Sequence, residues 1–139
     1  MSDHVLSGNP ENHYLKQDKL LNTKMKMNSV SFLMNDETEW QQVGKGVERQ
    51  IMGYDDQVML VKVKFEKDAV GNEHSHYHSQ TTYVASGQFE FTVDGIKKNV
   101  KSGDGLYIAP HVLHSTKCIE PGILVDCFSP MREDFITKK

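Results

Sequence analysis

Residues 74–80 read His-Ser-His-Tyr-His-Ser-Gln, which places His74, His76, His78 and Gln80 at every second position. A helix would scatter those side chains around its circumference, whereas an extended strand turns alternate residues to one face. Imidazole nitrogens and an amide carbonyl on a common face suit a divalent transition metal, and zinc, nickel, iron, manganese and cobalt all accept such donors. Strand parity leaves His76 and His78 equivalent, although a turn between His76 and Gln80 would redirect His78. A remote strand must complete the site, and His114, which ends the run beginning Gly103-Asp104-Gly105, is the candidate nitrogen. His78 and His111 otherwise read as rim histidines that hydrogen-bond or help to bind a ligand. His4 and His13 lie in a polar stretch and read as solvated.

A second group of reactive side chains lies in Ile123-Leu124-Val125-Asp126-Cys127-Phe128-Ser129-Pro130-Met131-Arg132. Asp126 interrupts an apolar strand, and a buried carboxylate is costly unless it is paired, hydrogen-bonded or facing a cavity. A cavity position therefore competes with a plainer one, an aspartate bonding nearby backbone amides. Parity puts Asp126 and Phe128 on one face and Cys127 on the other. Arg132 follows Pro130, where the strand must end, and its planar fork suits a ligand carboxylate. The competing role is a surface ion pair with Glu133 or Asp134.

What must position these groups is a chain of 139 residues with a formal charge of -3, enough for one domain with its own core. No cluster of lysine or arginine provides a nucleic-acid footprint. The N-terminus shows no basic segment followed by an apolar run, so neither a secretory signal nor a membrane span is expected, and the chain reads as cytoplasmic. Cys118 and Cys127 are too few for a disulfide framework and read as reduced thiols. Residues 1–28 are polar and aperiodic, an irregular or partly helical extension with a short helix near Tyr14 to Leu21. Residues 29–139 form the single domain.

In that domain Val61, Val63 and Phe65 alternate with Lys62, Lys64 and Glu66, and Phe89, Phe91 and Val93 with Gln88, Glu90 and Thr92. Both patterns fit half-buried strands. Asp94-Gly95 is a pair favoured in two-residue hairpins, with Ile96 to Lys101 returning. Further strands are expected over Val47 to Tyr54, Gln80 to Ala85, Leu106 to Ala109, Ser115 to Ile119 and Ile123 to Phe128. Turns are expected at Gly53, Ser86-Gly87, Gly103-Asp104-Gly105 and Pro121-Gly122. Many short strands at close spacing indicate an antiparallel sandwich or barrel.

The succession Gly71, His74-x-His76, Gln80 and Gly87 resembles the first cupin motif, and Gly103 to His114 resembles the second. That resemblance implies an all-β double-stranded β-helix, the cupin jelly-roll barrel, with a divalent metal in its mouth held by His74, His76, Gln80 and His114. Gln80 stands where glutamate is usual, which removes a negative charge from the ligand set and leaves a cation more electrophilic. Ala109 stands where proline is common. The tail FSPMREDF, the segment TTYVASGQFEFTVDG and the run from Gly46 to Val63 resemble, more narrowly, the pectin-degradation KdgF family of small cupins. This similarity extends from about Ser31 to Phe135.

The family resemblance implies that Asp126, Phe128 and Arg132 flank the metal as catalytic residues. It implies conversion of 4,5-unsaturated uronate monosaccharides into linear keto sugars, so the expected partner is a small sugar acid. Small barrels of this kind also lead one to expect a homodimer. Cupins host many chemistries, and two other readings stand beside this one: another metal-dependent enzyme, such as a dioxygenase or sugar isomerase, or a non-catalytic sugar-binding module.

Overall fold

The alternating runs of the sequence become eight strands in the computed structural model, which describes residues 27–137. They are β1 (Gln41–Gly44), β2 (Val47–Asp55), β3 (Val58–Phe65), β4 (Val70–His74), β5 (Ser79–Val93), β6 (Ile96–Lys101), β7 (Gly105–Ile108) and β8 (His114–Ser129). A helix, Glu133–Thr137, closes the described chain. The expected extension lies outside the described residues except for Met27 and Asn28, as do its helix over Tyr14 to Leu21 and the histidines at 4 and 13. No described helix is long and apolar enough to cross a membrane.

Two long strands organise the barrel. β5 and β8 pair antiparallel from Ser79 opposite Ser129 to Val93 opposite His114. At one end β8 also pairs with β3, through Gly122 to Phe128, and β5 pairs with β7, through Gln80 to Tyr83. At the other end β8 pairs with β4, through His114 to Lys117, and β5 with β6, through Gln88 to Val93. The two long strands therefore pass from one half of the sheet into the other. The one continuous eight-stranded sheet thus divides, by its pairings, into a half running β1-β2-β3-β8-β5-β7 and a half running β4-β8-β5-β6.

The expected turns at Ser86-Gly87 and Pro121-Gly122 are corrected here: both are bulges inside continuous strands, and they oppose each other. A Cβ on Gly122 would sit 2.0 Å from the Ser86 carbonyl oxygen, and one on Gly87 would sit 2.6 Å from that of Pro121. Two chains without side chains can approach where both bend, and the bend carries each strand between the halves. Gly53 likewise marks a register shift in β2 rather than its end. The Asp94-Gly95 hairpin is as expected, with positive φ at both residues (53° and 79°).

Between the two halves lie Phe65, Val84, Phe89, Phe91, Cys118 and Leu124, with Phe65 and Phe89 in edge-to-face contact at 5.3 Å. Each large apolar side chain buried there contributes about 1.5–3 kcal/mol. A second cluster of Met59, Val61, Phe128 and Met131 fills the other end. Residues 28–38 cross β2 on the outside, held by Gln50, whose fully buried amide donates to the carbonyls of Asn35 (2.9 Å) and Thr38 (2.8 Å).

Candidate metal centre and acid pocket

Inward-facing residues alternate along β5, where Gln80, Thr82 and Val84 are buried, as is His78 just before the strand. Polar groups therefore occupy the open end of the barrel and apolar ones its interior. The single extended strand expected over His74 to Gln80 is broken: β4 ends at His74, and His76 and His78 lie in the connection to β5. The break separates the histidines. His74 pairs in register with His114 across β4 and β8, and the His111 amide donates to the His76 carbonyl at 2.7 Å. One ligand atom from each of His74, His76 and His114 lies within 4.8 Å of the others.

His78 leaves this group. Its Nε2–H donates to the carbonyl of Met131 at 3.1 Å, and its ring stacks on Tyr77. It fastens the start of β5 to the segment after β8.

The donor set fits a metal. A carbonyl oxygen only accepts, so a neutral ring next to one must present its N–H there. His74 Nδ1 is 2.8 Å from the Asn72 carbonyl, His114 Nδ1 is 2.9 Å from that of Val112, and His76 Nδ1 is 3.2 Å from that of His78. Each bond leaves Nε2 as the bare nitrogen, the arrangement that orients metal-binding histidines. Nε2 of His114 is buried with no hydrogen-bond partner among the described residues, a cost that a cation would remove. Burial pushes His76 down to about 4, with the charge of Arg132 adding to the effect, and burial also lowers His114. His76 and His114 are therefore neutral, and free to ligate, at physiological pH. Gln80 Oε1 lies 3.0 Å from His76 Nε2 and is the oxygen placed to join the three nitrogens.

The acid lies beside this set. Asp126 lines a cavity of about 130 Å³ together with His74, Gln80, His114, Phe128 and Arg132. Larger surface grooves, such as that of about 570 Å³ between Val43–Val47 and Glu66–Asn72, contain no ligating cluster among the described residues. Burial raises Asp126 to about 6, against the opposing effects of a hydrogen bond from Thr82, the nearby Arg132 charge and the amide of Gln80. Phe128, on the same face two residues later, sets its ring edge-to-face with His76 at 5.7 Å.

Arg132 folds back over the pocket, with its guanidinium carbon 5.1 Å from the Phe128 ring centre and 4.3 Å from that of Phe135. The competing ion pair is formed as well: Nε and one terminal nitrogen donate to Asp134 at 3.2 and 3.1 Å. One edge of the fork is used in this way. The other terminal nitrogen makes no hydrogen bond among the described residues, so pairing with Asp134 orients the fork and leaves donors for a ligand.

Two residues at the site escape the sequence reading, one behind the pocket lining and one in it. Thr82 connects Gln80 to Asp126, and Phe135 lines the pocket between Arg132 and Arg49, whose guanidinium carbon is 3.8 Å from its ring centre. Thr82 shares strand parity with Gln80, which is the signal that would have singled it out. Phe135 follows the last strand, beyond the reach of any periodicity.

A cupin domain model matches residues 61–128 of the chain. Over 107 residues the chain is 39% identical to the pectin degradation protein KdgF of Dickeya dadantii, covering 76% of this chain and 97% of that protein. The solved structure of an RmlC-like cupin from Shewanella frigidimarina superposes with a TM-score of 0.76 at 44% identity, covering 78% of this chain and 97% of the other. That of KdgF from Halomonas sp. superposes with a TM-score of 0.74 at 38% identity, covering 77% and 99%.

Proposed function

This chain belongs to the KdgF family of cupins, and from that premise we propose that it is a metal-dependent enzyme of pectin or alginate breakdown. Its reaction is the conversion of 4,5-unsaturated uronate monosaccharides to linear keto sugars. The observation that carries this reading is the meeting, in one pocket, of an acid raised to about 6, an arginine fork and a convergent set of histidines.

A 4,5-unsaturated uronate is a cyclic enol ether bearing a carboxylate. Proton delivery to C4 and addition of water at C5 give a hemiketal. Its bond from C5 to the ring oxygen then breaks, leaving a ketone at C5 and a hydrated aldehyde at C1. Asp126 supports both proton movements: Oδ1 is engaged by Thr82, so Oδ2 is the oxygen available to give a proton to C4 and take one from the water. A value of about 6 keeps both forms populated near neutrality. Arg132 binds the carboxylate and fixes the ring relative to Asp126, and Phe128 packs against the sugar face. When bound by His74, His76, His114 and Gln80, a divalent ion supplies polarisation of sugar or water oxygens.

The test is a mixture of metal-loaded protein and a pectin-derived 4,5-unsaturated uronate, followed by its near-ultraviolet absorbance with His114→Ala as the control. Loss of absorbance with wild type alone supports the reading. Equal rates for the two proteins, or none, refute it.

A further inference from the structure

Gln80, Thr82 and Asp126 form a chain of hydrogen bonds that starts in the buried interior and ends at the half-buried Asp126. Gln80 Nε2 donates to Thr82 Oγ1 at 3.0 Å, and Thr82 Oγ1 donates to Asp126 Oδ1 at 2.7 Å. Thr82 is only 3% exposed, and its Cα lies in register with that of Asp126 across β5 and β8. We propose that Thr82 is a positioning residue: it turns the Gln80 amide so that the oxygen faces the metal position, and it ties that ligand to the catalytic carboxylate.

The number of hydrogens available fixes the orientation of the amide. A threonine hydroxyl has one to give, and a carboxylate has none. The Thr82 hydrogen is therefore committed to Asp126, and its oxygen must accept. Of the two ends of the Gln80 amide, only the nitrogen can satisfy that oxygen, so Oε1 is left on the side of His76 Nε2, 3.0 Å away. An amide in isolation could turn over; this one is held by a neighbour whose own hydrogen is already used.

The same count accounts for glutamine at position 80. With glutamate there, two carboxylates would compete for the single Thr82 hydrogen, and one of them would lose its buried partner. An amide is the side chain of that length that both donates to Thr82 and offers an oxygen to a cation. In this way Thr82 and Asp126 select the ligand type at 80.

The proposal rests on the metal reading of the site but on no particular substrate, so binding of Co²⁺ to the full chain tests it. Metal-free wild type, Thr82→Val, Thr82→Ser, Gln80→Ala and the Gln80→Ala/Thr82→Val double variant are titrated with Co²⁺ against a competing chelator. The visible Co²⁺ bands are recorded, and folding is checked by circular dichroism. Thr82→Val is expected to bind about tenfold or more weakly, with altered bands, while Thr82→Ser restores both. In the Gln80→Ala background the valine is expected to cost nothing further. Should Thr82→Val not fold, Thr82→Ala replaces it in the same cycle. Wild-type affinity in the valine variant, failure of serine to rescue, or an equal loss in the Gln80→Ala background would each overturn the proposal. Failure of wild type itself to bind Co²⁺ would refute the metal reading instead.

Discussion

Nε2 of His76 and Oε1 of Gln80 face each other at 3.0 Å while Nδ1 of the same ring faces the His78 carbonyl at 3.2 Å. A neutral imidazole has one N–H for these two oxygens, and with its pKa depressed to about 4 the ring is neutral at pH 7. One nitrogen is then set lone pair against lone pair unless a cation intervenes. Metal should therefore stabilise the fold as well as activate it. At a free concentration a hundred times its dissociation constant, a bound ion adds about 2.7 kcal/mol, a rise in unfolding temperature on the order of 10 °C. Differential scanning calorimetry of chelator-treated and metal-loaded protein checks this, and identical transitions would show that the conflict is not resolved by metal.

Asp126 gives a pH dependence with a definite sign. Burial lifts its carboxyl from 3.8 to about 6, so between those values the folded protein holds a proton that the unfolded chain releases. Stability of the metal-free protein then falls as pH rises through that window. Asp126→Asn keeps an oxygen for the Thr82 hydroxyl and carries no charge. It should be more stable than wild type by about 2 kcal/mol above pH 6 and no more stable below pH 4, while losing turnover. Urea unfolding at several pH values measures the difference. A constant difference across pH would mean that the carboxylate is not strained by burial.

Arg132 should act mainly on substrate binding. Lysine keeps the charge but loses both the fork that pairs with Asp134 and the flat face lying on Phe128 and Phe135. Arg132→Lys and Arg132→Ala should each raise KM by roughly ten- to a hundredfold, in line with loss of a charge-assisted pair of about 1.5–3 kcal/mol. Steady-state kinetics with the uronate decides. A lysine variant with wild-type KM would remove Arg132 from carboxylate recognition.

The crossing of the long strands makes a prediction about the fold alone. Alanine at Gly122 brings a Cβ to 2.0 Å from a backbone oxygen that cannot move without the opposite bulge. Gly122→Ala and Gly87→Ala should cost more than about 3 kcal/mol or prevent folding. Gly95 has positive φ but nothing within 4 Å of an added Cβ, so Gly95→Ala should cost about 1 kcal/mol. Chemical denaturation of the three variants separates steric exclusion from backbone strain. A Gly122→Ala cost no greater than that of Gly95→Ala would mean that the close approach of the two bulges is not what excludes a side chain there.

These positions also mark what the sequence could and could not reveal. The Asp94-Gly95 hairpin was legible because a two-residue turn is specified locally, and so were the alternating faces of β3 and β5. Ser86-Gly87 and Pro121-Gly122 carry the same local signal as a turn. What makes them bulges is their mutual contact across more than thirty residues of sequence, which no local pattern contains. In the site, residue types announced a metal, but parity could not separate His76 from His78. That separation comes from the end of β4 at His74 and from the Met131 carbonyl that takes the His78 hydrogen. Asp126 was legible as a carboxylate out of place in an apolar strand, whereas Thr82, an ordinary strand residue, was marked only by its shared parity with Gln80.

The most direct test of the central claim follows the product. Metal-loaded protein is incubated with a 4,5-unsaturated uronate in D₂O and observed by carbon and proton nuclear magnetic resonance, beside Asp126→Asn. The C4–C5 alkene signals should disappear, with a new ketone or ketone-hydrate carbon at C5 and deuterium at C4, at a rate greatly reduced in the variant. An intact alkene in the presence of bound metal, an oxidised product, or an unchanged rate with Asp126→Asn would contradict that claim.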